Sequence, residues 1–107
     1  MRFGMIHLIS YDFKTDNELI SFLETFVTYG LISEYAFVYH YSGLHCEKSH
    51  YHICLRPKIN DIGLMLSLSK RFVAADNCKS ENNLLCYISG YGCNVVSNFD
   101  FYKALKS

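Results

Sequence analysis

His50 and His52 flank a tyrosine in the segment Glu47-Lys48-Ser49-His50-Tyr51-His52-Ile53-Cys54-Leu55. Aromatic and β-branched residues here favour an extended chain. Side chains alternate faces along a strand, so His50 and His52 point one way. Tyr51, Ile53 and Leu55 point the other way, toward a core. Two imidazoles on one face, with a carboxylate nearby, can hold a divalent metal. Glu47 offers that carboxylate where the preceding loop meets the strand. Four of the five histidines, His40, His45, His50 and His52, fall in this one region.

The third ligand sets the metal. With Glu47, two imidazoles and an oxygen donor suit Mn²⁺ or Mg²⁺. With His45 instead, three imidazoles favour Zn²⁺. His40, on the preceding strand, is a further candidate for the same face. The plain alternative is a pair of surface histidines on a half-solvated strand.

The elements around the segment decide whether these groups can meet. Arg2 to Ser10 reads as a central strand, with Phe3, Met5, His7 and Ile9 on one face. Thr15-Asp16-Asn17-Glu18 is a helix start, with Thr15 or Asp16 as the cap and Glu18 completing a capping box with Thr15. Leu19, Phe22, Leu23 and Phe26 follow at helical spacing, and Gly30 is the stop. Glu34 to Tyr41 alternates again, placing Tyr35, Phe37, Tyr39 and Tyr41 on one face. Those rings either pack on helices or stack unpaired bases. With His50 to Arg56 this strand forms an antiparallel hairpin.

Pro57 breaks the pattern. A second helix is expected from Asn60 or Asp61 to Asp76-Asn77, with Ile62, Met65, Ser69 and Phe72 at helical intervals and Leu64 and Leu68 beside them. A third, from Ser80 to Gly90, carries Leu84, Leu85, Tyr87 and Ile88. Asn94 to Ser97 is a short last strand, and Phe99 to Ser107 a terminal helix or tail. The order predicts a single α+β domain over residues 1–107: an antiparallel β-sheet with helices packed on one face, in a ferredoxin-like split arrangement. The opposite face is expected to be open and to carry His50 and His52.

Composition narrows the partners. The chain has 107 residues, half of them apolar, which is enough for one core. Its formal net charge is zero, so bulk electrostatics give no argument for nucleic-acid binding. Local basic candidates are Arg56, Lys58, Lys70, Arg71 and Lys79. Arg56 shares strand parity with His50 and His52 and could clamp a phosphate. Five cysteines, with no CxxC pair, read as free thiols in a reducing intracellular compartment. No secretory leader or membrane span is expected.

His50-Tyr51-His52, followed by Ile53-Cys54-Leu55, resembles the histidine-hydrophobe-histidine motif of HUH endonucleases. These are the rolling-circle and rolling-hairpin replication initiators of plasmids and small DNA viruses. Leu84-Leu85-Cys86-Tyr87-Ile88-Ser89-Gly90 resembles the family's second hallmark, a tyrosine on a later helix. Its pattern is most similar to parvovirus and densovirus initiators, whose nuclease domain precedes a helicase. The family usually places a lysine three or four residues after the tyrosine, where this chain has Gly90 and Tyr91. Tyr91 is therefore a second candidate nucleophile. Tyr102, followed by Lys103 and Lys106, is a third.

The resemblance implies an antiparallel sheet with the histidine motif on a central strand. It implies a metal-dependent, site-specific single-stranded DNA endonuclease (nickase) that initiates replication. His50, His52 and Glu47 would hold Mn²⁺ or Mg²⁺, and Tyr87 would form a covalent 5′-phosphotyrosine. Implied partners are single-stranded or hairpin DNA, with a helicase domain or host replication proteins. Two other readings stay open: a non-enzymatic metal-binding or nucleic-acid-binding module, and a small interaction protein with incidental histidines.

Overall fold

The computed structural model describes residues 4–40, 48–59, 68, 70–75, 80–90 and 94–106. Strand β1 (Ile6–Ser10) leads to helix α1 (Asp16–Thr28), then β2 (Ile32–His40) and β3 (His50–Pro57). A short β4 (Val73–Ala74), helix α2 (Glu81–Ser89), β5 (Val96–Ser97) and helix α3 (Phe101–Lys106) follow. The expected α+β architecture is present: one five-stranded sheet in the order β4-β1-β3-β2-β5, all neighbours antiparallel, with helices packed on it. β3 lies at its centre, so β1 and β2 run parallel to each other on either side, as a split βαβ unit requires. No helix among the described residues is long and apolar enough to cross a membrane.

Local chemistry fixes the ends of α1. Thr15 Oγ1 accepts the Glu18 amide at 3.1 Å, and the Glu18 carboxylate accepts the Lys14 amide at 3.3 Å. These bonds satisfy amides that have no partner inside the helix. At the far end Gly30 takes φ +72° and Leu31 N–H reaches back to the Phe26 carbonyl at 3.0 Å. A side chain at that φ would be strained, which is why glycine ends the helix. α1 buries Leu19 and Leu23 against Tyr35, Phe37, Tyr51, Ile53 and Leu55, the first of two cores.

The tyrosine-bearing face of β2 packs mainly into this core. Tyr35 donates to the Glu24 carboxylate at 2.8 Å, and burial beside that carboxylate raises its pKa. Phe37, Tyr39 and Tyr51 also line a cavity of about 400 Å³ together with Lys14, Asp16 and Asn94.

Two expectations need correction. The histidine-bearing face is not open: Leu84, Leu85 and Ile88 of α2, with Phe101 of α3, pack on Ala36, Val38 and Cys54 as a second core. The apolar stripe of α2 has to be covered, and the half of this sheet face next to the histidines is itself apolar. The helix expected to run to Asp76 instead gives way to β4, where Val73 and Ala74 pair with Ile9 and Leu8. The edge of β1 offers unpaired backbone groups there, and pairing outweighs local helix preference. Most of that predicted helix lies outside the described residues, although Leu68 and Phe72 are buried in the first core.

Candidate metal centre

The register of the hairpin builds the centre. His40 pairs directly with His50, and Val38 with His52, so β2 and β3 turn three imidazoles to the same side. β1 pairs on the other flank with Ile9 opposite His52 and His7 opposite Cys54, which sets His7 diagonal to His52. His50 and His52 are buried and His40 half-buried.

The nitrogens converge. His50 Nε2 lies 3.2 Å from His40 Nδ1 and 2.9 Å from His52 Nε2. All three donor atoms fall within 4.8 Å of one another. Two nitrogens bound to one cation at about 2.0–2.1 Å stand roughly 2.9–3.4 Å apart over octahedral to tetrahedral angles. The two short separations match that requirement, so the three residues could hold a metal ion once the His40 and His52 nitrogens close on it.

Hydrogen bonds behind the cluster set the tautomers. His50 Nδ1 is 2.9 Å from the Lys48 carbonyl, which can only accept. Nδ1 therefore carries the proton, and Nε2 presents its lone pair toward the cluster. His52 Nδ1 is 3.0 Å from His7 Nε2. A cation on His52 Nε2 needs the His52 proton on Nδ1, and His7 Nε2 is placed to accept it. Burial, then the neighbouring His50, His7 and His40, lowers the His52 pKa to about 3. Burial and His50 lower that of His40 as well. Both rings are thus neutral at neutral pH and have lone pairs to give.

Tyr87 is brought to this cluster from 35 positions beyond His52. Its ring lies 5.7 Å from that of His52 and 5.4 Å from that of His7, both edge-on. It is not a core aromatic: on α2 the buried positions are Leu84, Leu85 and Ile88, and Tyr87 is 45 % exposed. α2 starts at a Ser80 cap, whose Oγ accepts the Asn83 amide at 3.1 Å. It is tied to the sheet by Arg56, which donates to both Glu81 oxygens at 2.7 and 2.8 Å and to Glu34 at 2.7 Å. Arg56 does share the histidine face, but its guanidinium is held by two carboxylates. In this arrangement it fixes α2 on β2 and β3.

The other predicted residues fall elsewhere. Tyr102 is exposed on α3 and its ring meets Phe101, not an imidazole. Arg71 stacks 3.9 Å from the Phe13 ring centre and pairs with Glu18 at 3.4 Å, so it too is structurally engaged. Lys58 and Lys70 are exposed. Glu47, His45, Tyr91 and Lys79 lie outside the described residues. Cys54 is a buried hydrophobe whose thiol is pushed up to about 12 by burial.

His7 is the residue of this candidate site that the sequence pattern did not single out. A lone imidazole on a strand that is otherwise Met5, Ile6, Leu8 and Ile9 was the available signal, because a buried polar group needs a partner. No family model matches this chain, and no curated protein or solved structure matches it significantly.

Proposed function

We propose that this protein is a metal-dependent, site-specific single-stranded DNA nickase of the HUH type, acting through a covalent 5′-phosphotyrosine at Tyr87. The observation that carries this reading is the meeting of an exposed tyrosine with a three-histidine cluster, two of its members buried, on separate elements. His40, His50 and His52 would hold the cation. Three imidazoles favour Zn²⁺ or another borderline metal over Mg²⁺, and Mn²⁺ also fits if Glu47 joins them. When bound, the cation supplies Lewis acidity to the scissile phosphate.

The chain's own groups do the rest. The Tyr87 oxygen attacks phosphorus, the P–O3′ bond breaks, and a 5′-phosphotyrosine and a free 3′-hydroxyl result. The phenol proton leaves to solvent and the 3′-oxygen takes one up. Phenols have an unperturbed pKa of about 10, so the attack depends on nearby positive charge or a base. His7 buttresses His52, and Arg56 holds the helix that presents Tyr87.

The test is covalent trapping on single-stranded and hairpin DNA pools with Mn²⁺, Zn²⁺ or EDTA. The expected result is a metal-dependent adduct mapping to Tyr87, lost in Tyr87→Phe while DNA binding persists. Full activity of Tyr87→Phe would refute the assignment. A second reading, a non-enzymatic zinc or nucleic-acid-binding module, is favoured by the all-imidazole donor set. Zinc retained through purification without any adduct would support it.

A further inference from the structure

Two exposed tyrosines stand at opposite ends of the histidine row. Tyr87 belongs to α2, which packs over Cys54, and so it meets the row at its His52 end. Tyr11 follows β1 directly, and the last β1 residue, Ser10, pairs with Tyr51. Its ring lies 5.2 Å from that of His50, at the other end, and it too is 45 % exposed. Lys48 Nζ sits 5.2 Å from the Tyr11 ring centre. An exposed ring with a cation beside it, next to a cluster fit for a metal, offers one face for a base and one charge for a phosphate.

We infer that Tyr11 and Lys48 form the seat for the nucleotide on the 5′ side of the cleaved phosphate in single-stranded DNA. Tyr11 stacks its base and Lys48 meets its backbone. The assignment of side rests on the nickase reading. In an in-line displacement the attacking and leaving oxygens lie on opposite sides of phosphorus. Tyr87 enters from the His52 end, so the departing 3′-oxygen faces the His50 end. The nucleotide carrying that oxygen then falls on Tyr11. This also accounts for how a chain of zero net charge holds DNA: stacking, which every base can offer, supplies affinity that bulk charge does not.

The experiment uses the full chain with Tyr87→Phe to block turnover. Binding of a fluorescent random-sequence single-stranded DNA pool is measured in Zn²⁺ or Mn²⁺. Tyr11→Leu is expected to weaken binding about five- to a hundred-fold, and Tyr11→Phe to restore it. Lys48→Gln should lower the slope of log affinity against log salt by about 0.7. Because Tyr11 is exposed, a folding defect is not expected, and native far-ultraviolet circular dichroism of Tyr11→Leu checks for one.

In the cleaving protein, Tyr11→Leu should flatten any preference for the base immediately 5′ of the cut. Unchanged binding in Tyr11→Leu overturns the seat. A preference that changes only on the 3′ side of the cut overturns the assigned direction. Binding that depends on Tyr11, with no adduct from the unmodified chain on any pool, keeps the stacking seat and sinks the nickase reading.

Discussion

β3 is buried on both of its sides, and the two are chemically unlike. On one side Tyr51, Ile53 and Leu55 sit in an apolar core under α1; on the other His50, His52 and Arg56 are buried as well. Burial alone therefore does not tell core from site. The apolar side is held by transfer of hydrocarbon from water, which is non-directional and tolerates neighbours of many shapes. The polar side survives only because its groups find partners: the Lys48 carbonyl for His50, His7 for His52, and Glu34 and Glu81 for Arg56. A stretch of alternating residues thus fixes a stable sheet on one face and an address for chemistry on the other.

Substitutions on the two sides should separate these roles. The largest effect is expected from His50→Ala, which removes the atom common to both short nitrogen contacts. It should abolish stoichiometric Zn²⁺ or Mn²⁺ binding by calorimetry and, with it, adduct formation, while the far-ultraviolet circular dichroism stays native. Retained stoichiometric binding would mean that the metal lies elsewhere. Ile53→Ala, three residues along on the opposite face, should do the reverse. It should cost about 2–5 kcal/mol in urea unfolding and leave metal stoichiometry intact in the folded fraction. If metal affinity fell by orders of magnitude there, the two faces would not be separable.

Arg56→Met is expected to lie between them. It leaves Glu34 and Glu81 without their common guanidinium, but both carboxylates are partly solvated, so the expected loss is roughly 2 kcal/mol. Because Arg56 anchors α2, adduct yield should drop while metal stoichiometry holds. Unchanged adduct yield would free α2 from this anchor.

The last comparison concerns acid. The folded His52 pKa of about 3 lies below the unfolded value of about 6.5. Between those limits the unfolded chain binds more protons, so metal-free stability rises with pH through this window. It is lost as pH falls, on the order of 1 kcal/mol per pH unit for each such proton. The slope should be shallower in His52→Gln, measured by urea midpoints from pH 7 to pH 4. Equal slopes would locate the acid sensitivity in other groups.

Legibility from sequence differed by residue. The faces of β2 and β3 could be read because strand parity is a local rule, and it put His50 and His52 on one side; that His40 joins them is set by the hairpin register. The caps of α1 were readable for the same reason: Thr15, Glu18 and Gly30 act within one turn of themselves. Tyr87 was singled out on a motif resemblance, and its exposure depended on how α2 seats on the sheet. β4 was missed because two residues carry almost no strand signal, and their pairing is supplied by the edge of β1. Arg56 was read as a phosphate clamp because parity gives the face of a side chain and not its partner.

The sequence by itself determined which residues share a face, where the first helix begins and ends, and that an imidazole pair stands on a strand. These follow from backbone geometry and from bonds spanning a few residues. Only the tertiary structure decided that His7 stands behind His52, that α2 covers half of the histidine face, and that Tyr11 and Tyr87 stand at its two ends. Those placements depend on strand register and helix docking across as many as 80 positions of chain. They are set by which buried surfaces and polar groups can be satisfied together, and no local pattern encodes that choice.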